Sequence, residues 1–136
     1  MDLALKCLSR RAYSRSKMVA ELNRAGFDET QINECIRRLE NWGYLNDREF
    51  GMSRIITLQN RLKSRNYVVG DLEAKGIPRE LVQELLVEFY PEEMELEIAY
   101  KLLQKKPSKK KKGYALLLRA GFSESTIQRC FPDLFI

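Results

Sequence analysis

The 136-residue chain contains no histidine. That absence removes the commonest general base and the commonest metal-ligating side chain, and it excludes any Ser–His or Cys–His nucleophilic pair. Cysteine is sparse: Cys7, Cys35 and Cys130 are odd in number, far apart and without a CxxC pair. Such a set builds neither a disulfide framework nor a zinc site, so the three read as buried small apolar residues. Glycine (seven) and proline (four) are few, while Leu, Glu, Lys and Arg dominate, a balance that favours helix over strand. No stretch approaches about 18 uninterrupted apolar residues. The N-terminal "MDLALKCLSRRAY" has only a short apolar run and an early acid, unlike a signal peptide. A cytoplasmic protein with no membrane partner is expected. Also missing are a phosphate-binding loop, a dinucleotide fingerprint and a zinc-protease helix. Glutamate pairs such as Glu92–Glu93 sit in a strongly acidic helical stretch and read as a solvated face. No catalytic residue, cofactor or metal is expected, and the chain does not read as an enzyme.

What is present is apolar material enough to fold (44%) and a charge content of 32%, with a net charge of +5 and a pI near 9.2. The charge is segregated. Seven glutamates and no Lys or Arg fall between Glu80 and Tyr100; seven lysines and no acid come next, between Lys101 and Lys112. Opposed blocks of this kind affect partners more readily than fold.

The nine letters "RAGFDETQI" from Arg24 return nearly unchanged as "RAGFSESTI" from Arg119. Each reads as a helix–turn–helix corner. Gly26 stops one helix, Phe27 folds back as a plug, Asp28 caps the next helix with Gln31 three residues on, and Ile32, Cys35, Ile36 and Leu39 give it an apolar stripe. A diverged copy, "AKGIPRELV", places Gly76, Ile77 and Pro78 in the same roles. Gly26, Gly76 and Gly121 are thus equivalent, separated by 50 and 45 residues. A further helix precedes each corner, at roughly Leu3–Leu8, Asp47–Leu62 and Glu92–Lys105. The pattern predicts an all-α, elongated, curved array of three tandem three-helix units spanning about 1–45, 46–91 and 92–136, because one such unit cannot bury its own apolar face. A monomer is expected.

The basic clusters recur with the same period. Arg10, Arg11, Arg15 and Lys17 form one, Arg61, Lys63 and Arg65 a second, and Lys105, Lys106, Lys109, Lys110, Lys111 and Lys112 a third. All three fall between the first and second helix of a unit, where they would project along one side and suit a nucleic-acid backbone. Pro107 opens the last of these turns. Tyr13, Tyr67 and Tyr114 accompany the clusters, as core residues at helix starts or as stacking platforms for bases. Major-groove reading by the corner's second helix fits poorly in the middle unit, where Glu80, Glu84 and Glu88 would be repelled by phosphate.

"GYLNDREF" at Gly43–Phe50, with "SRNYVVGDLEAKGI" at Ser64–Ile77 after it, resembles the RecX family. Gly43, Tyr44, Leu45, Asp47, Phe50, Leu72, Lys75, Gly76 and Ile77 carry the match, and "LLLRAGFSESTI" is similar to the family's last unit. Asn46 stands for an aspartate, Asp71 for the usual glutamate, and Tyr67 and Val69 for residues often basic in relatives. The resemblance implies a modular all-helical regulator of the RecA recombinase that binds in the groove of the RecA–single-stranded DNA filament and, most often, inhibits strand exchange and ATP turnover. By the same resemblance, Gly43, Tyr44, Leu45, Asp47, Phe50, Leu72, Gly76 and Ile77 are structural. Lys75 and the basic loops are the contacts to single-stranded, and in some settings duplex, DNA. A stand-alone helix-turn-helix DNA-binding protein and a helical scaffold for a protein partner are the competing readings.

Overall fold

The computed structural model describes residues 1–105 and 109–135; Lys106 and Pro107 lie outside the described residues. Among the described residues nine α-helices run in order: α1 Asp2–Arg10, α2 Arg15–Arg24, α3 Glu29–Asn41, α4 Asp47–Asn60, α5 Arg65–Ala74, α6 Arg79–Phe89, α7 Glu92–Lys105, α8 Lys110–Arg119 and α9 Glu124–Cys130. A 3-10 turn, Pro132–Phe135, comes last, and the described residues contain no strand. The all-α reading of the sequence holds.

Local chemistry sets most helix ends. Asp28 and Gln31 form a reciprocal capping box, and Ser14, Asn46, Ser64 and Ser123 each accept the backbone N–H three residues on. Every corner closes on a glycine with positive φ: 93° at Gly26, 82° at Gly76 and 86° at Gly121. The next backbone N–H in each case bonds the carbonyl five residues back, as from Ile77 to Leu72 at 3.1 Å.

The apolar stripes meet in two cores, not three. Ala4, Met18, Leu22, Ile32, Cys35, Ile36, Leu39 and Leu45 form one within α1–α3 and the turn after α3. The second is continuous from α4 to α9 and runs through Leu58, Leu72, Leu85, Tyr90, Leu117 and Ile127. Accessible surface is 8878 Å² for 16.0 kDa, where a compact monomer of this mass exposes about 7,400 Å². The excess of roughly a fifth is the signature of an extended array.

The three-helix groups are joined by a contact that repeats. Ser14 and Ser64, each capping the second helix of its group, are fully buried. Ser14 Oγ donates to the carbonyl of Lys75 at 2.6 Å, and Ser64 Oγ donates to that of Ala120 at 3.0 Å. One serine therefore caps its own helix and bonds the residue just before the corner glycine of the next group. An acid completes each joint: Asp47 Oδ1 accepts from Arg15 N at 2.8 Å, and Glu95 Oε2 accepts from Arg65 N at 2.9 Å.

Glu95 departs from the solvated reading of the acidic stretch. It is 1% exposed and accepts three further hydrogen bonds, from Ser123 N and Oγ and from Thr126 Oγ1. Its position three and four residues before Ile98 and Ala99 puts it on the apolar face of α7, where only a fully bonded carboxylate is tolerable. The expected plug at Phe27 also fails: Ile77 and Phe122 are buried, but Phe27 is 37% exposed. Phe27 N still bonds the Leu22 carbonyl at 3.3 Å, so the corner backbone is kept while the side chain stays outside the α1–α3 core. Of the cysteines, Cys35 is buried, whereas Cys7 and Cys130 are only partly so.

Candidate nucleic-acid interface

The joint between α1–α3 and α4–α6 assembles a basic cleft. Because Ser14 holds the carbonyl of Lys75, the α1–α2 loop lies against the end of α5, and residues about 60 positions apart line one hollow of about 460 Å³. Its walls include Arg11, Tyr13, Lys17, Arg24, Phe50 and Lys75. Two smaller hollows continue from it. One, of about 330 Å³, shares Arg11, Phe50 and Lys75 and adds Arg54; the other, of about 350 Å³, shares Tyr13 and Phe50 and adds Tyr44 and Glu49.

The cations are unequally compensated. Asp71 accepts both Arg54 nitrogens, at 2.8 and 3.0 Å, and Lys75 Nζ at 3.2 Å. The Arg54 guanidinium above all, with Lys75 behind it, holds the Asp71 carboxyl below its ordinary range against the opposing effect of burial. One carboxylate thus orients two cations and leaves one positive charge over. Arg24 pairs with Glu21. Arg11 lies 5.0 Å from the centre of the Tyr13 ring and donates to the Tyr13 hydroxyl at 3.4 Å; that hydrogen bond above all, with the Glu21 carboxylate as a lesser cause, raises the arginine's already high pKa. Lys17 has no ion pair among the described residues. The arrangement is suited to holding an anion beside aromatic surface.

The other basic residues lie elsewhere. Arg10 and Arg61 are exposed, and Arg15 Nε sits 3.6 Å from Glu40. Lys63 Nζ stands 4.6 Å above the ring of Tyr67, which is 46% exposed and so not a core residue. Arg65 is turned inward: its Nε donates to the carbonyl of Tyr90 at 2.8 Å, and Tyr90 in turn donates its hydroxyl to the carbonyl of Lys63 at 2.7 Å. Burial pushes the Tyr90 phenol far above its usual range, so it stays a donor. Lys105, Lys109, Lys111 and Lys112 are exposed, and Lys110 meets Asp133 at 3.0 Å on the surface. Lys106 lies outside the described residues.

Among the family-motif positions, Leu45, Leu72 and Ile77 are buried, Gly43 (φ 79°) and Gly76 make turns, Asp47 caps α2, and Phe50 is half-buried in the cleft wall. Tyr44 differs from the structural expectation. It is 56% exposed and packs edge-on to Trp42 at 6.2 Å, because the left-handed turn at Gly43 directs it away from the core that Leu45 enters. Sequence patterning does not single out Arg24 or Arg54; the only local signal for the Arg54 cluster is the Asp71–Lys75 spacing of four on α5.

Comparison with known proteins places this architecture. Residues 1–39 match the family model described as RecX, first three-helix domain. The chain is 31% identical over 137 residues to a regulatory protein RecX of Chlorobaculum tepidum, covering 94% of this chain and 83% of that one. The chain belongs to the RecX family. A regulatory protein RecX of Chlorobium phaeobacteroides is 29% identical over 98% of this chain and 92% of its own length. The crystal structure of RecX from Lactobacillus salivarius superposes with a TM-score of 0.86 at 24% identity, covering 98% of this chain and 92% of that one, so the helical-repeat fold is shared. Family membership gives the chain a regulatory role. Among the described residues no helix is long and apolar enough to cross a membrane, and no cluster of acidic or cysteine side chains could hold a metal ion.

Proposed function

We propose that this RecX-family chain is a non-enzymatic regulator of RecA that lies in the groove of the RecA–single-stranded DNA filament and lowers its recombinase and ATPase activities. The observation that carries this reading is the repeated joint. Ser14 and Ser64 set the α1–α2 and α4–α5 loops in equivalent places on successive groups, so Arg11 and Lys17, then Arg61 and Lys63, then the Lys109–Lys112 run succeed one another along the array. A periodic partner such as a filament engages spaced weak contacts together, and linkage raises their combined affinity. The exposed acids Glu80, Glu84, Glu92, Glu93 and Glu97 on α6 and α7 form a separate surface for the protein component of the filament. In this reading the three-helix groups are the functional repeats, with boundaries near 45 and 91.

The deciding measurement is the single-stranded-DNA-dependent ATPase of RecA at increasing concentrations of this protein. A saturable fall is expected, and an unchanged rate at saturation rejects the proposal. Sequence-selective binding to one duplex over unrelated duplexes at moderate salt would instead establish the stand-alone DNA-binding reading. The exposed Glu80, Glu84 and Glu88 on α6 weigh against that reading.

A further inference from the structure

We propose that the cleft between the α1–α2 loop and helices α4 and α5 binds one nucleotide unit of a single strand, the phosphate between Arg11, Lys17 and Lys75 and the base against Tyr13 and Phe50. The hollow of about 460 Å³ falls within the roughly 300–1,000 Å³ typical of small-ligand sites. That suits one nucleotide. A duplex, whose bases are stacked in its interior, cannot lay one there. The two halves of the ligand meet two kinds of wall. Cations from both groups line the larger hollow; Tyr13 and Phe50, which line it too, also border the continuing hollow with Tyr44, where Glu49 is the one charged lining residue. Asp71 orients Lys75 without cancelling the cleft's positive charge: Arg11 and Lys17 are in no ion pair among the described residues, and Glu21, the one acid in the lining of the larger hollow, pairs with Arg24 and acts on Arg11 only from beyond ion-pair distance. Arg11 above the Tyr13 ring pre-sets a cation–aromatic pair of the kind that takes a phosphate and a neighbouring base together. Lys109–Lys112 are exposed, and Lys110 among them is paired with Asp133. The cleft therefore distinguishes a strand that carries bases from a bare phosphate backbone. Only the source of the strand, a RecA filament, rests on the proposed RecA regulation.

The test uses the full chain without RecA, so its failure is separable from failure of the ATPase experiment. Anisotropy of a labelled oligothymidylate is compared with that of an abasic strand of equal length. Binding about ten-fold tighter to the oligothymidylate is expected from one stacked base. Tyr13→Leu should erase that preference with unchanged thermal melting. Lys17→Gln should weaken both strands and lower the salt slope by about one. Replacing Lys109–Lys112 by serine should weaken both strands and keep the preference. Trp42, the sole tryptophan, stands edge-on to the cleft residue Tyr44, so its fluorescence should change with oligothymidylate and not with the abasic strand. Equal affinity of the wild type for the two strands, or a preference that survives Tyr13→Leu, overturns the proposal. Should Tyr13→Leu lose helicity, Arg11→Gln decides: oligothymidylate affinity unchanged by that exposed substitution also overturns it. Displacement of the strand by thymidine monophosphate as effectively as by unlabelled oligothymidylate would assign the cleft to a free nucleotide and overturn the strand as ligand.

Discussion

Substitution of Gly76 by alanine tests the joint on which the cleft depends. Two costs combine there. Gly76 has φ of 82°, and an L-residue held in the left-handed region is strained by about 1–2 kcal/mol. In addition, a Cβ at Gly76 would fall inside the van der Waals envelope of Ser16 Cβ and Oγ, on the first turn of α2. Overpacking of that kind costs about 1–3 kcal/mol. The expected total is about 2–5 kcal/mol. Gly26 supplies an internal control, since its φ is 93° but a Cβ there meets nothing within 4 Å. Gly26→Ala should therefore lose only the strain, about 1–2 kcal/mol. Urea unfolding monitored by far-ultraviolet circular dichroism measures both, and Ser16→Gly combined with Gly76→Ala should recover the steric part. Because Lys75 precedes Gly76 and its carbonyl receives Ser14, Gly76→Ala should also reduce single-strand binding, whereas Gly26→Ala should not. Equal destabilisation by the two alanines would refute the claim that the groups are locked through this contact.

Other perturbations have defined expectations. Glu95→Ala leaves Arg65 N and the Ser123–Thr126 cap without their acceptor and should cost about 2–4 kcal/mol by urea unfolding. Asp71 has a folded-state pKa below the ordinary aspartate value of 3.8, so its contribution is fully present above that value and fades as pH falls through the folded pKa. Asp71→Asn should cost about 1–3 kcal/mol near neutrality and flatten the acid limb of a melting-temperature profile below that pH. Among the described residues, serine at Lys109–Lys112 removes the surface pair Lys110–Asp133, and it should move stability by less than about 1 kcal/mol while weakening binding to single-stranded DNA. Leu85→Ala, at a fully buried position, should cost about 2–5 kcal/mol in the same unfolding assay.

Helix and corner positions were legible in the sequence because they depend on neighbours. Asp28, Ser64 and Ser123 each cap a backbone N–H three residues on, Gln31 reaches back to Asp28, and Gly26, Gly76 and Gly121 end the helices before them. Periodic apolar residues identified Ile32, Ile36 and Leu39 as core for the same reason, since a helix face is a property of spacing. The recurrence of basic loops was equally local.

Burial and encounter were another matter. Nothing near Glu95 in the chain says that Arg65 N, Ser123 and Thr126 converge on it, and nothing near Phe27 says that it stays exposed where Ile77 and Phe122 are buried. Arg65 belongs to a basic cluster by sequence yet turns inward to the Tyr90 carbonyl. Asp47 lies in a family motif, but its task, capping α2 from the next group, exists only once the groups are stacked. The cleft obeys the same logic. Arg11, Lys17 and Lys75 are three among many cations along the chain, and a serine hydroxyl bonded to the Lys75 carbonyl brings them to one hollow. Short-range hydrogen bonding and helical periodicity sufficed to write out the helices and their corners. Which charges are buried, which are neutralised and which face a ligand depended on contacts between residues tens of positions apart, and tertiary packing alone decided those.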